Sequence, residues 1–92
     1  MEIVLKMTKV QESESDVLIK LEGKITDQWV GLLDRECRGY LQQGKAVHLD
    51  CSRVDFIDAN GVEALNNLHR TQVTLMSAPG FVRELLESGG RS

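Results

Sequence analysis

Between Val47 and Leu65 the chain reads VHLDCSRVDFIDANGVEAL, an apolar strand that ends in a polar turn and passes through Ile57-Asp58-Ala59-Asn60-Gly61 into a helix. A second short apolar run, Val73-Thr74-Leu75-Met76, follows that helix. Strand, helix and strand at this spacing describe a βαβ crossover, which joins parallel strands of one sheet. The first strand of this crossover is expected at Ala46 to Leu49. The helix is expected after Asn60, running from Gly61 to about Arg70, with Asn60 as its N-cap and Glu63 at capping-box spacing. In open sheets of this kind, partners bind outside the carboxyl ends of the strands, so function is sought at Asp50 to Gly61.

The remaining elements follow from changes of hydrophobic period. From Glu2 to Val10, Ile3, Leu5 and Met7 alternate with polar residues, and Val17, Ile19 and Leu21 resume the alternation after the polar stretch Gln11 to Asp16. Two period-two runs around a polar turn predict an antiparallel hairpin, with Gly23 breaking its second strand. From Thr26 to Gln43 the spacing becomes helical: Trp29, Leu33, Cys37, Tyr40 and Leu41 fall on one stripe, Thr26 or Asp27 is placed as cap, and Gly44 ends the run. Phe81, Val82, Leu85 and Leu86 mark a last helix entered through Pro79, and Gly89 to Ser92 reads as a frayed tail. The expected order is β-β-α-β-α-β-α, an α/β fold with a mixed, mostly parallel sheet and helices packed on one side. Ninety-two residues with 41% apolar content suffice for one core, so residues 1–88 are read as a single domain.

Several residues of the strand–turn–helix unit carry a family likeness. Asp50, Ser52, Val54, Phe56, Ile57, Asp58 and Gly61 match a pattern of apolar strand, Asp-x-Ser, short apolar loop and Asp-Ser-Ser/Thr-Gly at a helix start. This resembles the signature of STAS domains, the family of anti-sigma factor antagonists. Leu21 to Thr26 is similar to the segment leading into that family's first helix, and Ser77 to Leu86 resembles its closing turn and last helix. The second helix is shorter than usual for the family by roughly two turns of about 3.6 residues.

The resemblance implies a STAS fold and a protein-binding function. Its partner-binding residues would be Asp50, Ser52, Val54, Phe56, Asp58, Ala59, Asn60 and Gly61, with Asp58 presenting charge to the partner. In phosphoregulated relatives a serine directly follows the aspartate; unmodified, it lets the antagonist bind an anti-sigma factor that is also a serine kinase. Here that position is Ala59, which has no hydroxyl to phosphorylate. The expected function is an anti-sigma factor antagonist-like regulator without the usual switch. The alternatives are an accessory subunit docking on the ATPase of a membrane-lipid transporter, and a signalling-complex scaffold component. Ser52 is a second, weaker candidate phosphosite, since a serine after a strand end more often bonds its own turn.

Composition narrows the partner class. With a net charge of -3, a pI near 5.3 and scattered Lys and Arg, the chain lacks the basic face that docks on nucleic acid or anionic membranes. Met1 to Val10 is interrupted by Glu2, Lys6 and Lys9, and no apolar run approaches about 18 residues, so a cytoplasmic location without membrane insertion is expected. Cys37 and Cys51 have neither the number nor the spacing of a disulfide framework or zinc site. Among Ser52, His48, His69, Asp50, Asp58 and Cys51 no spacing suggests a triad or a metal site, and no phosphate loop or dinucleotide fingerprint is present. The expectation is therefore no catalysis, no metal and no cofactor.

Overall fold

The structure is a computed structural model that describes residues 5–89, with side chains through residue 84. Its elements are β1 (Lys6–Glu12), β2 (Asp16–Ile25), α1 (Asp27–Gln42), β3 (Ala46–Ile57), α2 (Ala59–His69), β4 (Val73–Met76) and α3 (Gly80–Gly89). This is the order read from the sequence. The sheet runs β1-β2-β3-β4; β1 and β2 are antiparallel, while β2–β3 and β3–β4 are parallel.

Alternation decides which face the helices cover. Val17, Ile19 and Leu21 of β2, Val47, Leu49 and Cys51 of β3, and Val73 of β4 are buried, and they form one core cluster with Leu33 and Cys37 of α1, Leu65 and Leu68 of α2, and Val82 of α3. The intervening residues Leu18, Lys20, His48, Asp50 and Thr74 point to the opposite face, which carries no helix. The 3.6-residue stripe of α1 is thus what closes the core over β2 and β3. At its end Gly44 adopts φ +82°, which lets its N–H reach Leu41 O and the Lys45 N–H reach Tyr40 O.

Three boundaries differ from the sequence expectation. The first strand, placed at Glu2 to Val10, runs on to Glu12, and the turn shrinks because Ser13 Oγ accepts from the N–H groups of Ser15 and Asp16; Glu2, Ile3 and Val4 lie outside the described residues. Gly23 does not break β2: it takes φ +104° beside a register shift, and the strand continues to Ile25. The largest difference is β3. It does not stop at Leu49 but spans twelve residues, because Lys20 to Ile25 of β2 keep pairing with Asp50 to Ile57. Two register shifts disturb the period-two pattern there, so Ser52, Arg53 and Asp55 face solvent and imitate a turn in the sequence. The helix expected around Phe81 and Val82 is α3, which includes Gly89; the side chains of Leu85 and Leu86 and the tail after Gly89 lie outside the described residues.

Glu12 ties the hairpin to the start of β3. Its carboxylate pairs with Lys9 Nζ at 2.7 Å and with Lys45 Nζ, and these hydrogen bonds, with Lys45 first, bring its pKa from 4.5 to about 2. A carboxyl depressed in the folded state contributes stability that is present above its unfolded pKa and lost as pH falls through the folded value. Glu12→Gln is therefore expected to flatten the pH dependence of the urea midpoint between about pH 4.5 and 2 while leaving the difference constant at neutral pH.

Candidate protein-docking site

The carboxyl ends of β2 and β3 lie side by side, with Ile25 paired to Ile57, and each strand is followed within two residues by a helix. Two helix amino termini therefore converge, and each brings N–H groups that have no partner inside its own helix. Asp58 joins them. Its Oδ1 accepts from the Gly61 N–H at 2.7 Å and its Oδ2 from the Asp27 N–H at 2.9 Å, while its own N–H donates to Ile25 O at 3.1 Å. One carboxylate thus caps α2, holds the first residue of α1 and is anchored to β2.

This corrects the expected cap. Asp58, extended at φ -94° and ψ -179°, is the N-cap of α2, and Asn60 is an exposed second residue of the helix. Glu63 then stands five residues beyond the cap instead of three, outside capping-box spacing. Thr26 does take the cap position of α1, but its side chain makes no capping bond; the Asp58 carboxylate serves that end instead.

Gly61 explains how close the elements come. A Cβ there would lie 2.5 Å from Ile25 O and 2.8 Å from Ile57 Cγ1, so only glycine lets the first turn of α2 rest on the strand ends. Gly61 is buried, as are Val54 at 3% exposure and Ile57. Of the residues expected to touch a partner, Val54 and Gly61 therefore face the core, and Asp58 has both oxygens engaged inside the fold. The exposed members are Ser52, Phe56, Ala59 and Asn60. Asp50 is half-buried and accepts the Ser52 N–H at 3.0 Å, the bond that chiefly holds its carboxyl below the usual carboxylate range.

Phe56, 45% exposed, is the large apolar group of this end. Lys24 Nζ sits 5.3 Å from its ring centroid and 3.5 Å from Asp55 Oδ1. Lys24 and Asp55 carried no signal in the sequence, because their meeting depends on the irregular register that sets Lys24 opposite Phe56.

The side chains considered for catalysis are dispersed. His48 bonds Asp16 at 2.9 Å on the helix-free face, and His69 closes α2. Cys51 is buried with its thiol toward Leu49 O, and burial pushes the thiols of Cys51 and Cys37 up to about 12. Among the described residues no group of three or more His, Cys, Asp or Glu is placed to hold a metal, and no helix is long and apolar enough to cross a membrane.

A family model described as Mlab, STAS domain matches residues 8–91, and the chain belongs to the STAS domain family. Among solved structures it is similar to the anti-sigma factor antagonist SpoIIAA in its unphosphorylated form, with TM-score 0.70, 15% identity, and coverage of 91% of this chain and 82% of the other. It is also similar to the Bacillus cell fate determinant SpoIIAA in the phosphorylated form, with TM-score 0.71, 17% identity, and coverage of 95% and 84%. At these identities the likeness establishes the fold. A search among curated proteins finds no match.

Two substitutions test the joint. Asp58→Ala removes the cap and the acceptor for Asp27 together and is expected to cost about 1–2 kcal/mol in urea unfolding, with Asp58→Asn costing less. Gly61→Ala forces a backbone shift and is expected to cost about 1–3 kcal/mol, the usual range for overpacking, in the same measurement.

Proposed function

We propose that this protein is a regulatory domain that works by binding another protein through the start of α2 and the end of β3, as an anti-sigma factor antagonist-like module without a phosphorylation switch at position 59. The observation that carries the reading is the placement of Ala59. It is the first residue of α2, exposed, and sits directly after the aspartate that fixes the helix start. SpoIIAA, similar in fold, has been solved in unphosphorylated and phosphorylated forms. A phosphoryl group at this position would add about two negative charges beside the Asp58 carboxylate, at the centre of a surface that a partner must desolvate. With a methyl group in its place no phosphate charge can be added there, and the surface stays permanently competent to dock. Phe56 supplies an apolar anchor beside it, and Asn60 supplies hydrogen-bonding groups.

The preferred partner is an anti-sigma factor of the serine-kinase type. A second reading, an accessory subunit docking on a transporter ATPase, is supported by the matched family model, which bears the Mlab description and not that of the antagonist. A subunit that remains in place has no need of a switch, so Ala59 is compatible with both.

Ala59→Asp separates docking from folding, because a carboxylate in the first turn of a helix is favourable by about 0.3–1 kcal/mol and does not endanger the fold. In affinity purification from the native host, the wild-type chain is expected to recover its partner, Ala59→Ser to recover it equally, and Ala59→Asp to lose it. Mass spectrometry of the recovered proteins then tells a serine kinase from a transporter ATPase. Equal recovery by all three baits removes the start of α2 from the interface.

A further inference from the structure

The helices leave one face of the sheet to solvent, and that face carries a cleft of about 380 Å³ at the amino-terminal ends of β2 and β3. Its volume lies near the lower end of the range of about 300–1,000 Å³ for small-molecule pockets. Strand register sets Gln11, Leu18 and His48 in one row across β1, β2 and β3. Leu18 and Met76, the latter 39% exposed, give the cleft apolar surface. Its polar side is a dyad: Asp16 Oδ1 holds His48 Nε2 at 2.9 Å, and Asp16 Oδ2 accepts from the Ser15 hydroxyl at 2.8 Å.

The chemistry of the lining is one-sided. In the tautomer that donates Nε2–H to the Asp16 carboxylate, Nδ1 is an acceptor. Among the described residues, Asp16 is the one carboxylate lining the cleft, and neither lysine nor arginine does. The field of such a site attracts a cation and repels a carboxylate or phosphate, and its apolar surface favours a ligand with a hydrophobic body. We propose that this cleft binds a small organic cation, its ammonium group drawn to Asp16 and His48 and its apolar part laid on Leu18 and Met76. The site is independent of the docking surface. Ile57 lies nine positions beyond His48 along β3, roughly 30 Å at about 3.3 Å per residue.

The test uses the isotope-labelled full chain and two probes of equal size and opposite charge, phenethylamine and phenylacetate, followed by two-dimensional amide NMR. Phenethylamine is expected to give saturable shifts at millimolar concentration confined to the amides around Gln11, Leu18, His48 and Met76, and phenylacetate to give none. Asp16→Asn, with a native spectrum, is expected to weaken amine binding by about tenfold or more. Met76→Ala is expected to weaken it less and to keep the preference for the amine. The proposal is overturned if both probes bind alike, if the shifts scatter over the surface, or if both variants bind phenethylamine as the wild type does.

Discussion

A single carboxylate decides how the helical layer meets the sheet. Asp58 stands where β3 ends, and its two oxygens satisfy N–H groups from two different helices while its own N–H is held by β2. Each of those amides would otherwise need water or another acceptor, and orphan amides at a helix start are costly when partly buried. The bond to Asp27 matters as much as the cap itself, since it fixes α1 relative to α2 across 31 residues of sequence. Gly61 completes the joint by letting the helix rest against Ile25 and Ile57 at a separation no side chain permits. The candidate surface is consequently a corner whose exposed residues inherit their geometry from buried neighbours.

The order of elements was legible because each run of the chain keeps a clear period. Val73 to Met76 begins and ends as expected, and the α1 stripe of Leu33 and Cys37 is buried as its spacing required. What the sequence hid was the second half of β3. Ser52, Arg53 and Asp55 look like a turn because turns are polar, yet here polarity marks the stretch where β4 has ended, pairing with β2 alone continues, and the register slips twice. Whether a polar stretch is paired depends on a neighbouring strand distant in sequence, and local pattern does not contain that information.

The candidate site was legible in place and less so in role. The region from Asp50 to Gly61 does form the end of the sheet and the start of α2, but its residues divide by depth: Val54 and Gly61 inward, Phe56, Ala59 and Asn60 outward. Asp58 and Asn60 are both good caps by type, and the choice between them rests on Ile25 O, a tertiary contact. Lys24 and Asp55 beside Phe56 escaped notice for the same reason: their proximity comes from bulged pairing and not from spacing.

The two cysteines acquire a use from their placement. Cys37 on α1 and Cys51 on β3 lie on opposite sides of the core contact, both fully buried and with thiols far too weakly acidic to ionise at neutral pH. A thiol reagent in solution reaches either sulfur only when the helical layer lifts from the sheet, since a fully covered and protonated thiol is inert. Their labelling rates, measured separately, are therefore two internal clocks for the opening of this fold, one on each wall of the core.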